Sequence, residues 1–267
     1  MVTRIDSIID RTVTLDYPAF DVLYAGECGE DAPKPAGLEG TSPGATYRER
    51  VRLVGRVLAG LRERGLAVVD NPVRPLLTTM RLLCDPQRRI YGWYVARDGH
   101  GQVPGSFHIA GSDEYVVFAR LQGGVVTIEP IGWSSLYTRA FELLPDVGPV
   151  SGGAAVVPLS RGAAREEQGG DWLEPVYEED DDDPVDREHA RVQALTYGAK
   201  LLFAMQVFTS RKNSRGREEV ADFPLHYYAS AHGAVLTVHK RSGPEAEPRL
   251  HLIPATRSAF RRELRTL

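Results

Sequence analysis

Only two cysteines, Cys28 and Cys84, occur in 267 residues, 56 positions apart and without a C-x-x-C pair. That excludes a disulfide framework and a thiol-based metal ribbon, and both read as buried thiols. Long apolar runs are also missing: the best stretch, Ala194 to Phe208, is interrupted by Lys200, well short of the roughly 18 residues a membrane span needs. No membrane insertion is expected. Residues 1–10 mix Arg4, Asp6 and Asp10 with single apolar side chains and lack the apolar region of a secretory signal, so the expected location is the cytoplasm. A surplus of one charge is scarce too. The net charge is -4, and Asp171 to Glu188 alone holds ten acidic residues against Arg187, so the rest of the chain is slightly basic. A basic surplus that dilute is no nucleic-acid footprint, which needs clustered Lys and Arg on one face.

What is present is an average globular composition, 42% hydrophobic and 25% charged, in a length that suits one large domain or two small ones. Thr12 to Leu15 reads as a strand and Tyr17 to Ala25 as a short helix. Six Pro and Gly residues between Pro33 and Gly44 then mark an ordered loop. Thr46-Tyr47-Arg48-Glu49 is a capping box that opens a helix, with Val51, Val54, Leu58 and Leu61 as its apolar stripe and Gly65 as its stop. A third helix is expected over Val73 to Cys84. Beyond Pro86 the period becomes two, predicting strands at Ile90–Ala96, Phe107–Leu121 and Val125–Ile131, and then a helix over Ser134–Leu144.

The second half repeats this order. Tyr94-Val95-Ala96-Arg97 matches Val207 to Arg211, Phe107 to Ala110 matches Leu225 to Ala229, and the strand ending at Pro130 matches the one ending at Pro254, each leading into a helix. The pairs drift from an offset of 114 at Arg97/Arg211 to 124 at Pro130/Pro254, as unequal loops would produce. The predicted fold is therefore α+β: a pseudo-twofold antiparallel sheet built from two similar halves and flanked by helices. The halves are expected at 1–147 and 185–267, joined by a long Gly/Pro/acidic connection over 148–184, in one domain spanning 1–267.

Motifs for chemistry are weak. Gly40-Thr41-Ser42-Pro43-Gly44 matches G-x-S-x-G and raises a serine hydrolase as an alternative, but no buried strand precedes it. Pro43 also has no N–H to offer an oxyanion. His226, His232, His239 and His251 lack metal-ligand spacing and read as strand-surface residues. The run Glu178 to Asp183 lacks the alternation of a calcium loop and reads as a solvated, self-repelling segment. No cofactor fingerprint is present. Trp93 and Trp133 are the aromatics most apt to matter, with packing on a sheet face as the default reading.

Taken in order, Phe20-Asp21-Val22-Leu23, Thr46-Tyr47-Arg48-Glu49-Arg50, Leu61-Arg62-Glu63-Arg64-Gly65-Leu66 and Ile253-Pro254-Ala255-Thr256 before Phe260 resemble the EspG family of type VII (ESX) secretion chaperones over almost the whole chain. The resemblance implies two quasi-symmetric halves around an antiparallel sheet, and no enzyme activity or cofactor. It also implies a cytosolic binder that covers the apolar helical tip of a PE/PPE-like secretion substrate and keeps it soluble until export. An adaptor that binds a secretion-machine component without a client is the other alternative. A monomer or weak homodimer is expected. The implied contacts fall on the turn from Asp98 to Gly105 and on the C-terminal helix. Asp98, His100 and Gln102 would form a polar rim, Val103 and Phe107 an apolar anchor, and Phe260 and Leu264 a second contact. One departure is that Leu225 to Ala229 lacks the Gly-Arg-Tyr ending of many relatives, which leaves room for another helical-hairpin substrate.

Overall fold

The computed structural model describes residues 7–99, 101–158, 201–241, 243 and 246–267. The acidic run at 178–183 and most of the expected 148–184 connection lie outside these residues.

In chain order the elements are β1 (Val13–Asp16), α1 (Tyr17–Cys28), α2 (Tyr47–Glu63), β2 (Ala67–Val68), β3 (Asn71–Pro72), α3 (Arg74–Cys84), β4 (Arg88–Asp98), β5 (Gly101–Gly111), β6 (Val116–Gln122) and β7 (Val125–Ile131). They continue with β8 (Ala155–Pro158), β9 (Leu201–Lys212), β10 (Glu218–Val220), β11 (Leu225–Ser230), β12 (Gly233–Lys240), β13 (Arg249–Pro254) and α4 (Arg257–Thr266). Among the described residues, eleven strands form one sheet in the order β1-β7-β6-β5-β4-β9-β11-β12-β13-β8, with β10 on β9, and every ladder is antiparallel. β2 and β3 make a separate hairpin. The strand β8 falls inside the expected connection, so that segment is not all linker: it adds an edge strand beside β13.

Strand order makes the repeat visible. From the central β4–β9 pair outward, β5, β6 and β7 on one side answer β11, β12 and β13 on the other. The registers test the matched residues. If Phe107 corresponds to Leu225, their partners make Gly92 correspond to Val207, Arg120 to Val238 and Thr127 to His251. Thr127 to His251 is an offset of 124, the same as Pro130 to Pro254, so these two matches agree through four strand pairs. Arg97/Arg211 does not agree. Arg211 lies opposite Arg88, in the alternation that includes Ile90 and Tyr94, whereas Arg97 belongs to the other face. The counterpart of Arg97 is Lys212, because a slip of one residue inverts every side chain on a strand.

The helices form where their caps and stripes require. Asp16 accepts from the Ala19 amide at the start of α1, and at α2 both halves of the Thr46/Glu49 capping box are made. The stripe on α2 is rotated from the one expected: Leu53, Val57 and Leu61 are buried, while Val51 is exposed. α1, α2 and α3 pack on one face of the sheet, here called the front, over Ala110, Val117, Ala119, Val126 and Ile128 of β5, β6 and β7. The back face is covered by α4 and by residues 133–144, which enclose Phe107, Phe118, Met205, Val207, Tyr227 and Leu236. A small third cluster, Val150, Ala155, Val235 and Leu252, sits on the front at the far end.

Three local expectations change. Phe107–Leu121 is two strands, because Ser112 Oγ accepts from the Glu114 and Tyr115 amides and turns the chain between β5 and β6. Ser134–Leu144 is two 3-10 segments, Trp133–Ser135 and Arg139–Leu143. There Arg139 is held by Glu129 and lies 4.5 Å over the Phe118 ring, a tertiary fit that overrides helical spacing. The eight-residue turn expected at 98–105 is instead a two-residue connection, since β4 and β5 pair from Arg88↔Gly111 to Asp98↔Gly101. β6 ends opposite Gly105, so Pro104 sits where β5 has no second ladder, the position a proline tolerates in a sheet.

Candidate functional site

Strands β4, β9 and β11 lie between the two front-face clusters, and among the described residues their front side chains form an apolar surface that is partly open. Tyr91 and Phe208 stack with ring centroids 5.4 Å apart. Trp93 meets both edge-on at 5.9 Å, and Tyr91 stacks on His108 at 6.2 Å. Registers extend the row through Gln206 to His226, which stacks on Tyr228 at 5.9 Å. Trp93 remains 41% exposed and Val95 38%. Leu202, 37% exposed, lies at the end where β9 is irregular against β11. A Trp/Val/Leu surface this open beside stacked rings has the chemistry of a partner-binding hot spot.

The rim is built from identifiable parts. At one end Arg89 and Ser210, paired in register, both bond Glu218 at 2.7 and 2.6 Å. Along one side runs the loop between α1 and α2. Its Leu38 is fully buried, and its Ala36 carbonyl accepts from His108 Nδ1 at 2.8 Å. Gly37 has φ +83°, and a Cβ there would lie 2.5 Å from the Phe107 carbonyl, so only glycine lets the loop lie this flat on the sheet. Burial lowers the His108 imidazole to about 4, so it is neutral and donates through Nδ1. Burial also raises the Tyr91 phenol, with Glu218 adding to the effect, and lowers His226, with His239 adding to it. The face is thus uncharged at neutral pH except at its rim, which suits an apolar partner.

The residues proposed from sequence are not brought together. Gln102 is exposed opposite Arg97 at the tip of the β4–β5 hairpin. Asp98 pairs with Gly101 there, and His100 lies outside the described residues. Val103 is half-buried on the back, opposite Ala96. Phe107 is fully buried, stacked on Phe118 at 6.1 Å, so as an anchor for a partner it is corrected to a core residue. Phe260 and Leu264 are corrected in the same way: both lie on the buried face of α4, with Phe260 edge-on to Phe141 at 5.5 Å. The signal for this open face was in β4 itself. Arg89-Ile90-Tyr91-Gly92-Trp93-Tyr94-Val95 carries bulky apolar side chains on both faces, but among the described residues only one face is roofed.

Two other places were weighed. Ser42 Oγ accepts from Arg50 at 3.3 Å, and Arg50 and Lys34 each hold Asp21 at 2.7 Å. Burial raises the Asp21 carboxyl, but the bonds from Lys34, Arg50 and Ser42 outweigh it and leave it below its ordinary value. Ser42 therefore completes a structural ion cluster that ties α1, the loop and α2 together. A polar cleft of 640 Å³ opens at the α4 end of the sheet, where Arg211 already faces Glu219 at 3.3 Å and Lys240 faces Glu263.

With the geometry in place, the comparisons identify the class. The EspG family model matches residues 16–266, and the chain belongs to the EspG family. Its fold is similar to that of the type VII secretion system chaperone EspG5 of Mycobacterium tuberculosis, solved in complex with a PE25–PPE41 dimer. The TM-score is 0.66 at 15% identity, covering 96% of this chain and 95% of the other. Among curated proteins, none matches the sequence.

Proposed function

We propose that this protein is a type VII secretion chaperone that holds a helical, PE/PPE-like substrate against the open aromatic face of β4, β9 and β11. It acts in the cytoplasm without covalent chemistry, covering an apolar helical tip and keeping it soluble until export. The observation that carries this reading is family membership over almost the whole chain, together with a fold that in EspG5 was solved with a PE–PPE dimer bound. The face supports it independently, because a partly open, uncharged aromatic surface centred on Trp93 matches an apolar helix better than it matches a nucleic acid.

The test is co-expression with PE/PPE heterodimers encoded beside the protein, followed by size-exclusion chromatography. A soluble ternary complex, with a blue shift in tryptophan fluorescence on binding that Trp93→Phe removes, is the expected result. Absence of any complex with those pairs would overturn the client class. A complex that leaves Trp93 in water would overturn its location.

A further inference from the structure

Cys28 ends α1 and Cys84 ends α3, two helices packed side by side on the front of the sheet. Cys28 Sγ donates to the Met80 carbonyl at 3.6 Å, and Met80 lies one helical turn before Cys84. Cys84 is also close enough to the Cys28 thiol and to the Tyr24 hydroxyl to add to the upward shift that burial gives each of them. The only two thiols of the chain are therefore neighbours, which their separation in sequence conceals. Both are free and half-buried. Each also stands at the root of a segment that frames the open face. The loop carrying Ala36 and Leu38 follows Cys28, and β4 begins four residues after Cys84.

We propose that Cys28 and Cys84 are a modification site: they close to an intramolecular disulfide by exchange with a low-molecular-weight disulfide, stapling the end of α1 to the end of α3. One protein thiolate attacks the small disulfide, forms a mixed disulfide and expels one small thiol. The other protein thiolate then attacks the protein sulfur of that mixed disulfide and expels the second small thiol. The protein loses two protons and two electrons, and both small thiols carry them away. Burial and the neighbouring Cys84 push the Cys28 thiol up to about 12, so its thiolate is scarce at neutral pH. Exchange is consequently slow there and accelerates in mild alkali. The closed bond spans a long loop of the unfolded chain, and the constraint favours the folded state.

The experiment uses the full chain and oxidised glutathione at mildly alkaline pH, and it does not depend on any client. The expected product has a mass two hydrogens below the reduced chain and no thiol reactive toward Ellman's reagent after denaturation. A non-reducing peptide map should join the Cys28 and Cys84 peptides. The melting temperature should rise by several degrees and return to its starting value with dithiothreitol. Cys28→Ser and Cys84→Ser, which remove one partner each, should stop at the mixed disulfide. The proposal is overturned by a wild-type chain that keeps glutathione on either cysteine or crosslinks between molecules. Two unmodified thiols after prolonged exposure, or a closed bond that lowers the melting temperature, also overturn it.

Discussion

Tyr91 and Phe208 lie directly opposite each other across the β4–β9 ladder, their rings 5.4 Å apart and 9° from parallel, on the seam where the two halves of the molecule meet. The stack joins residues of different halves into one platform, and Trp93 leans on both. The proposed binding surface therefore exists only when both halves are folded together.

Trp93→Asp should weaken binding of a PE/PPE heterodimer at least tenfold, about 1.4 kcal/mol, measured by isothermal titration. Because the ring is 41% exposed, the melting temperature should fall only slightly. Unchanged affinity in the folded variant would move the client elsewhere.

Phe107→Ala and Gln102→Ala should separate core from surface on one strand. Phe107 is fully buried, and its truncation should cost about 3–5 kcal/mol in urea unfolding. Gln102 is exposed, and its loss should stay within about 0.5 kcal/mol. Equal effects would contradict the opposite placements of these residues.

His108 makes stability pH-dependent. Its folded value is depressed to about 4 from 6.5, so the folded state binds fewer protons in that interval. Stability is fully present above 6.5 and falls as pH drops toward 4, by at most about 1.4 kcal/mol per pH unit, with no further loss from this group below that. His108→Asn, which keeps a donor for the Ala36 carbonyl, should flatten the slope between those limits. Denaturant midpoints across the interval for both proteins check it, and an unchanged slope would assign the titration to another group.

Nine register pairs join β4 to β9, so neither half should be stable alone. A cut placed after β8, between residues 158 and 201, should give fragments that aggregate singly and reconstitute one cooperative transition when co-expressed. Two separately melting, monomeric fragments would show two domains instead.

Much of this architecture was legible locally. The Thr46/Glu49 box, the end of α3 before Pro86, the apolar strands after it and the matched prolines Pro130 and Pro254 are short-range patterns, and each follows from helix capping, backbone chemistry or the two-residue period of a strand. They sufficed for a pseudo-twofold antiparallel sheet with helices. Where side chains point across that sheet was decided only by long-range pairing. Period two says that Phe107 and Gln102 face opposite ways, but not which face is roofed; α4 and residues 133–144, packed from distant parts of the chain, bury Phe107, and the same contact buries Phe260 and Leu264 on α4. In the same way a ladder running to Asp98↔Gly101 removed an eight-residue turn that its glycines and proline had suggested. The open platform of Tyr91, Trp93 and Phe208, and the meeting of Cys28 with Cys84, arise from contacts between residues far apart in sequence. No local propensity encodes which of two apolar faces the described helices will cover.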